Sequence, residues 1–251
     1  MPLKAVIFDF SGTIINDESI QISLTDPLLL AENLRPTPGD FLQCCAGRSD
    51  ADGIRSLFEI RGRMLTPEAL KILVDQRSQA YCNALSQLPR LPIYPGVEDW
   101  IYRLRVAKIP MAIVTGTSRA GVELVLRQGK LKDVFSVVVT GDDIERGKPD
   151  PQCYQQAITQ LQQITEDPTL GPGDCLAIED RYTGIAAAKA AGLSVVGVAN
   201  SHPYQMMQRH ANWAVDYLNQ LNLDRLLQFF AGTEKEFIRR EASLNSLSSG
   251  G

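Results

Sequence analysis

Apolar and polar positions change rhythm twice along the chain. A short apolar run, Ala5-Val6-Ile7-Phe8, ends abruptly in Asp9-Phe10-Ser11-Gly12-Thr13. It reads as a buried strand that delivers a carboxylate into a glycine-containing turn, at the carboxyl edge where open α/β sheets bind ligands. The ordinary alternative, that Asp9 merely ends a strand or caps a helix, stays open on these residues alone. Beyond the turn the spacing becomes helical as far as Leu88: Ile54, Leu57 and Phe58 share one face, and so do Tyr81, Ala84, Leu85 and Leu88. Turn residues at Pro36-Thr37-Pro38-Gly39 and at Thr66-Pro67-Glu68 divide this stretch into separate helices, with Thr66 as an N-cap and proline at the first helical position. An all-helical insert is predicted over residues 17–91, closing on a proline-rich return at residues 89–95.

From Gly96 the pattern alternates. Val97, Trp100, Ile101 and Leu104 form a helical stripe, and Met111-Ala112-Ile113-Val114 is a buried strand ending in Thr115-Gly116-Thr117-Ser118. A helix follows to about Gln128, with Gly129 placed to end it. Residues 135–139 are predicted as the next strand, Tyr154, Ala157, Ile158 and Leu161 as the next helix, and Cys175-Leu176-Ala177-Ile178 as a strand ending in Glu179-Asp180. A small-residue helix from Ile185 closes at Gly192, residues 194–198 are the last clear strand, and Leu223, Leu226, Leu227 and Phe230 mark a final helix. Strands alternating with helices predict an α/β fold, a Rossmann-like parallel sheet with helices on both faces. The expected division is a core of residues 1–16 and 92–242, a helical domain at 17–91, and a Ser/Gly-rich disordered tail at 243–251.

Composition narrows the partners. The 251 residues have room for one α/β domain and a smaller one, and 44% hydrophobic with 22% charged residues is ordinary for a globular chain. A net charge of −4 without a basic stripe speaks against nucleic acid. No apolar run approaches the roughly 20 residues that span a bilayer. The N-terminus runs straight into a core strand, which leaves no room for a signal peptide. Five cysteines without C-x-x-C spacing, beside only His202 and His210, supply a zinc site poorly and read as reduced structural thiols. The expectation is a cytoplasmic monomer that meets no membrane and no nucleic acid.

Four strand ends carry polar groups: Asp9, Thr115, the loop bearing Lys148, and Glu179-Asp180. Each has a bland reading taken alone: Thr115 as a helix cap, Lys148 as a solvated charge, Asp180 as another cap. In a parallel sheet these ends share one edge, so the four groups can converge although they lie far apart in sequence.

Their order and context resemble the haloacid dehalogenase-like hydrolases, in the helical-cap subgroup that includes phosphoglycolate phosphatase and β-phosphoglucomutase. The resemblance rests on F-D-F-S-G-T at residues 8–13, I-V-T-G-T at 113–117, G-K-P-D-P at 147–151 and I-E-D-R-Y-T-G-I-A-A-A-K-A-A-G at 178–192. It implies that Asp9 is a nucleophile forming an aspartyl-phosphate on a small phosphorylated metabolite. It further implies that Mg²⁺ lies between Asp9, the main-chain carbonyl of Ser11 and Asp180, with Glu179 as ligand or close neighbour. Such a hard cation suits oxygen ligands. Thr115 would bind a phosphoryl oxygen with Gly116 beside it, and Lys148 would neutralise the phosphoryl group and the nucleophile. Arg48, in the cap before a predicted helix, and Arg181, beside the metal acid, are candidates to grip the substrate, or else are exposed arginines.

One position departs from the pattern. Where the family's phosphatases carry a second aspartate as general acid and base, this chain has Ser11. A main-chain carbonyl survives that exchange, whereas a serine hydroxyl without an activating base does not exchange protons usefully near neutral pH. General acid–base catalysis contributes about 10²–10⁴ in rate, so weakened phosphatase activity is expected. The alternative is a catalytically impaired homologue that binds a phosphate ligand or a protein partner as a sensor or regulator.

Overall fold

A computed structural model describes residues 2–232. The tail expected at 243–251 and the end of the expected core, residues 233–242, lie outside the described residues. Six strands form one sheet: β1 (Ala5–Phe8), β2 (Met111–Val114), β3 (Val137–Val139), β4 (Cys175–Glu179), β5 (Ser194–Val198) and β6 (Trp213–Val215). All are parallel, in the order β3-β2-β1-β4-β5-β6. The strand order therefore reverses between β1 and β4, the place where open α/β sheets form a ligand crevice. The register sets Phe8 level with Ile113 and Ile178, so the residues just beyond these strands emerge side by side.

Period-two alternation sorts the strand side chains between two faces. Val6, Phe8, Ile113, Leu176, Ile178 and Val196 pack on one face with α5 (Val97–Val106), α6 (Arg119–Gln128) and α10 (Leu223–Ala231). Ala5, Ile7, Ala112, Val114, Ala177 and Val195 pack on the other with α7 (Gln152–Ile164), α8 (Tyr182–Ala190) and α9 (Tyr204–His210). Both faces are covered, which is why the strands read as continuous apolar runs. Trp100, fully buried on α5, anchors the first layer and donates its indole N–H to the Leu221 carbonyl at 3.2 Å. The third strand starts two residues later than the apolar run at 135–139 suggests. Phe135 instead turns its ring against Phe8, centroids 5.9 Å apart. The sixth strand escapes sequence reading because Trp213-Ala214-Val215 is too short to show a period.

Between β1 and α5 the chain is helical: α1 (Glu18–Ser23), α2 (Thr25–Ala31), α3 (Asp50–Glu59) and α4 (Pro67–Ser86), with a π-helical turn at Phe41–Cys45. Thr66 caps α4 as expected, its hydroxyl accepting from the Ala69 amide at 3.2 Å. This region has its own apolar cluster of Leu28, Leu29, Cys44, Ile54, Leu57, Phe58 and Leu73. Tyr81 and Leu85, further along α4, belong instead to the cluster of the sheet. Where the chain leaves and re-enters the sheet, Ile15 bridges Ile93, the Asn16 amide bonds the Pro92 carbonyl and the Tyr94 amide bonds the Ile14 carbonyl. The proline-rich return thus forms a two-stranded neck. Among the described residues no helix is long and apolar enough to cross a membrane.

Ile7 is fully buried in the central strand. Ile7→Ala is expected to lower stability by about 2–5 kcal/mol, measured by urea denaturation followed by circular dichroism. A loss below about 1 kcal/mol would show that this layer collapses around the missing methyl groups.

Candidate active site

The turn after β1 starts as a continuation of the sheet, with the Asp9 amide donating to the Ile178 carbonyl at 2.9 Å. That bond holds the Asp9 carboxylate above the crevice between β1 and β4. The loop after β3 brings in Lys148, whose ammonium donates to Asp9 Oδ1 at 2.5 Å, to Glu179 Oε1 at 2.7 Å and to the Val114 carbonyl at 3.3 Å. Tyr154, on α7, donates its hydroxyl to the same Glu179 oxygen at 2.5 Å. Oxygens of Asp9, Glu179 and Asp180 lie within 4.8 Å of one another, and all three residues are buried.

The electrostatics follow from this crowding. Burial alone would lower the Lys148 pKa, but the Asp9 and Glu179 carboxylates outweigh it and hold the ammonium charged above its ordinary range. Burial and the Asp9 charge push Glu179 up to about 7. Burial, then the charges of Asp9 and Glu179, push Asp180 well above the usual carboxylate range. One ammonium among three carboxyl groups leaves negative charge uncompensated, an arrangement that favours a further cation. Asp180 Oδ1 is buried without a hydrogen-bond partner, while its other oxygen accepts from Ser201. Gly12, at φ +85°, leaves the space in front of this carboxyl open: a Cβ there would stand 2.0 Å from Asp180 Oδ2. The donor set therefore fits a hard divalent cation.

The nine residues singled out from the sequence all border one chamber. Thr115 Oγ1 accepts from the Thr117 amide at 3.1 Å, which leaves its hydroxyl hydrogen for a ligand. Gly116 sits under the helical region. Its carbonyl accepts from the Asp50 amide at 3.1 Å, and a Cβ would strike the Arg48 carbonyl at 2.4 Å. Arg48 borders the chamber, whereas Arg181 is paired with Glu18 and lies 3.9 Å from Asp180. Arg181 is thus already neutralised by protein carboxylates. His202 and His210 both pack on the Tyr182 ring, His202 stacked at 4.0 Å.

The Ser11 side chain belongs to a network that sequence reading missed. Its hydroxyl donates to Asp17 Oδ2 at 2.9 Å and lies 3.3 Å from Thr117 Oγ1. Tyr81 and Gln21 donate to the same Asp17 oxygen at 2.6 and 3.2 Å, and burial raises the Asp17 pKa. Asp17 Oδ1 is buried with no partner, and Asp17 borders the chamber. Glu18, Gln21 and Asp50 also border it. The one available signal was position, since Asp17 is the first carboxylate beyond the motif at 8–13.

A family model described as haloacid dehalogenase-like hydrolase matches residues 6–198. The chain is 29% identical over 201 residues to protein CbbY of Rhodobacter capsulatus, covering 78% of this chain and 85% of that protein. It is 27% identical over 234 residues to a bifunctional riboflavin kinase/FMN phosphatase of Arabidopsis thaliana, covering 88% of this chain and 55% of that longer protein. Among solved structures, β-phosphoglucomutase from Clostridium difficile superposes with a TM-score of 0.77 at 20% identity, covering 94% of this chain and 99% of that one.

Gly12 tests how tightly the turn is built. Gly12→Ala forces a side chain into left-handed backbone, which costs roughly 1–2 kcal/mol, and drives its Cβ into Asp180. A drop of several degrees in thermal midpoint is expected. A midpoint unchanged within about a degree would show that the Asp180 carboxyl moves aside freely.

Proposed function

The chain belongs to the haloacid dehalogenase-like hydrolases, and on that footing we propose that it is a Mg²⁺-dependent phosphatase of a small phosphorylated metabolite, with Asp9 as nucleophile. The observation that carries this reading is the buried carboxylate of Asp9, fixed at 2.5 Å from the Lys148 ammonium in a chamber shared with Glu179, Asp180 and Thr115. Relatives named for action on phosphorylated carbohydrates and phosphoglycolate support a small phosphate ester as substrate.

In this reading Asp9 and Asp180, with Glu179 close by, hold the cation, which supplies positive charge to the phosphoryl oxygens when bound. Lys148 orients the Asp9 carboxylate and offsets charge on the phosphoryl group. Tyr154 and Lys148 together fix Glu179, so the acidic edge does not collapse into the crevice. Thr115 donates its hydroxyl to a phosphoryl oxygen. The Asp9 oxygen attacks phosphorus in line with the departing oxygen, giving an aspartyl-phosphate that water then hydrolyses. Catalysis of this kind rests on positioning and charge. Arg48 is the cation at the chamber wall with no carboxylate partner among the ion pairs of the described residues. It therefore suits an anionic or hydroxyl-bearing part of the substrate.

Ser11 keeps a second reading in view, a homologue that binds a phosphate ligand and turns it over poorly. A panel of phosphorylated metabolites assayed with Mg²⁺ and with EDTA separates the two. Phosphate release that EDTA stops and that Asp9→Asn abolishes is the expected result. Saturable ligand binding without release, unaffected by Asp9→Asn, would favour the sensor.

A further inference from the structure

One short segment of the helical region, Gly47 to Asp52, docks on the loops beyond β2, β3 and β4 together. The Thr183 hydroxyl, at the start of α8, donates to the Gly47 carbonyl at 3.2 Å. The Asp50 amide donates to the Gly116 carbonyl, beyond β2, at 3.1 Å. The Gly147 amide, beyond β3, donates to Asp52 Oδ2 at 3.0 Å. This last contact lies next to the lysine that bridges the acidic cluster. Gly147 and Lys148 are buried, while Glu145, Arg146 and Pro149 around them are exposed. A lysine's long flexible stem does not place an ammonium by itself, so the main chain beside it has to be held. Gly147 is held from two sides. Its carbonyl accepts from the Asp150 amide at 3.1 Å within the loop, and its amide reaches across to Asp52. A buried amide is costly to leave unpaired, so the carboxylate across the gap fixes where this backbone sits. The fit is close: a Cβ at position 147 would stand 2.6 Å from Asp52 Oδ2.

Asp52 also stands in the first turn of α3, whose N-cap is Ser49, and a plain capping role has to be weighed. In a capping box the carboxylate at this position turns back to the N-cap amide. Here the cap is made by Ser49, whose hydroxyl oxygen accepts from the Asp52 amide at 3.1 Å. The Asp52 carboxylate serves other partners. Its Oδ2 accepts the Ser49 hydroxyl at 2.7 Å and the Gly147 amide, and its Oδ1 pairs with Arg55 at 2.7 Å.

We propose that Asp52 is a positioning residue for the phosphoryl-transfer step, an inference that rests on the phosphatase reading. Asp52 lies outside the residues that border the chamber. It acts through the Gly147 amide on the adjacent Lys148, and so on the ammonium that donates to Asp9 at 2.5 Å. The helical region thereby sets the lysine as well as covering the site. With the Gly47–Asp52 segment seated, Lys148 meets the nucleophile. With the Asp52 bond cut, the loop relaxes and the ammonium loses its alignment on Asp9. A misplacement of about 1 Å that originates away from the reacting atoms costs about 10²-fold in rate.

The test measures p-nitrophenyl phosphate turnover by the full chain with Mg²⁺, beside the thermal midpoint of each variant. Asp52→Ala removes the acceptor and is expected to lower kcat by about 10- to 100-fold, with KM changing less than kcat. Asp52→Asn keeps an oxygen for the Gly147 amide and is expected to regain most of the kcat that alanine loses. Gly147→Ala drives a Cβ into the same carboxylate and breaks the contact from the other side. It is expected to show the same loss of kcat, and covers the case in which Asp52→Ala does not fold. A residue that only caps α3 would lower the midpoint and leave the kcat of the folded protein unchanged. That result in Asp52→Ala, or an Asp52→Asn as slow as Asp52→Ala, would overturn the positioning role while leaving the phosphatase reading intact. A parent protein that releases no phosphate, or no more than Asp9→Asn does, would overturn the phosphatase reading and this role with it.

Discussion

The structure turns on one buried ammonium. Lys148 bridges Asp9 and Glu179, carboxylates that come from neighbouring strands of the sheet and meet at its carboxyl edge. Without that bridge, two like charges within 4.8 Å of each other would repel by a few kcal/mol at an effective dielectric of about 20. Asp180 adds a third carboxyl group to the same space. Lysine offsets part of the excess, and the remainder shows as raised proton affinity at Glu179 and Asp180. The site thus carries an excess of negative charge that a further cation could offset.

Sheet topology makes this concentration of charge possible. Reversal of strand order between β1 and β4 puts Asp9 at the place where open α/β sheets form a ligand crevice. Glycines then set how close the parts come. Gly12 yields to Asp180, Gly184 leaves room for the Glu179 carboxylate, and Gly116 admits the Arg48 main chain from the helical region. At each of these three places a methyl group would stand within 2.5 Å of a neighbouring atom. The tightness of the chamber is therefore written in missing side chains as much as in present ones.

Much of this was legible in the sequence because parallel strands are buried on both faces and end abruptly. Ala5-Val6-Ile7-Phe8 before Asp9, and Cys175-Leu176-Ala177-Ile178 before Glu179, announce both the strand and the polar group at its edge. Asp17 was hidden for the opposite reason. Its partners Gln21 and Tyr81 lie 4 and 64 residues away, and only the folding of α1 and α4 back onto the β1 turn brings them together. Arg181 carried a clear chemical signal but an incomplete one, since its pairing with Glu18 depends on how the helical region lies over the sheet. Tyr154 looked like one more apolar position of α7, and its hydroxyl contact with Glu179 appears only in three dimensions.

Trp100 and Trp213, the two tryptophans of the chain, are both in the α/β part, one at the centre of its helical layer and the other on the edge strand. Between residues 17 and 91 the strongest native fluorophore is a single tyrosine, Tyr81, whose hydroxyl is bonded to a carboxylate. Indole emission consequently reports on the sheet layers alone, and the helical insert is optically dark at tryptophan wavelengths. An unfolding trace recorded that way follows the α/β part of the molecule. A single indole placed on the solvent side of α3 or α4 would give the helical region a voice of its own.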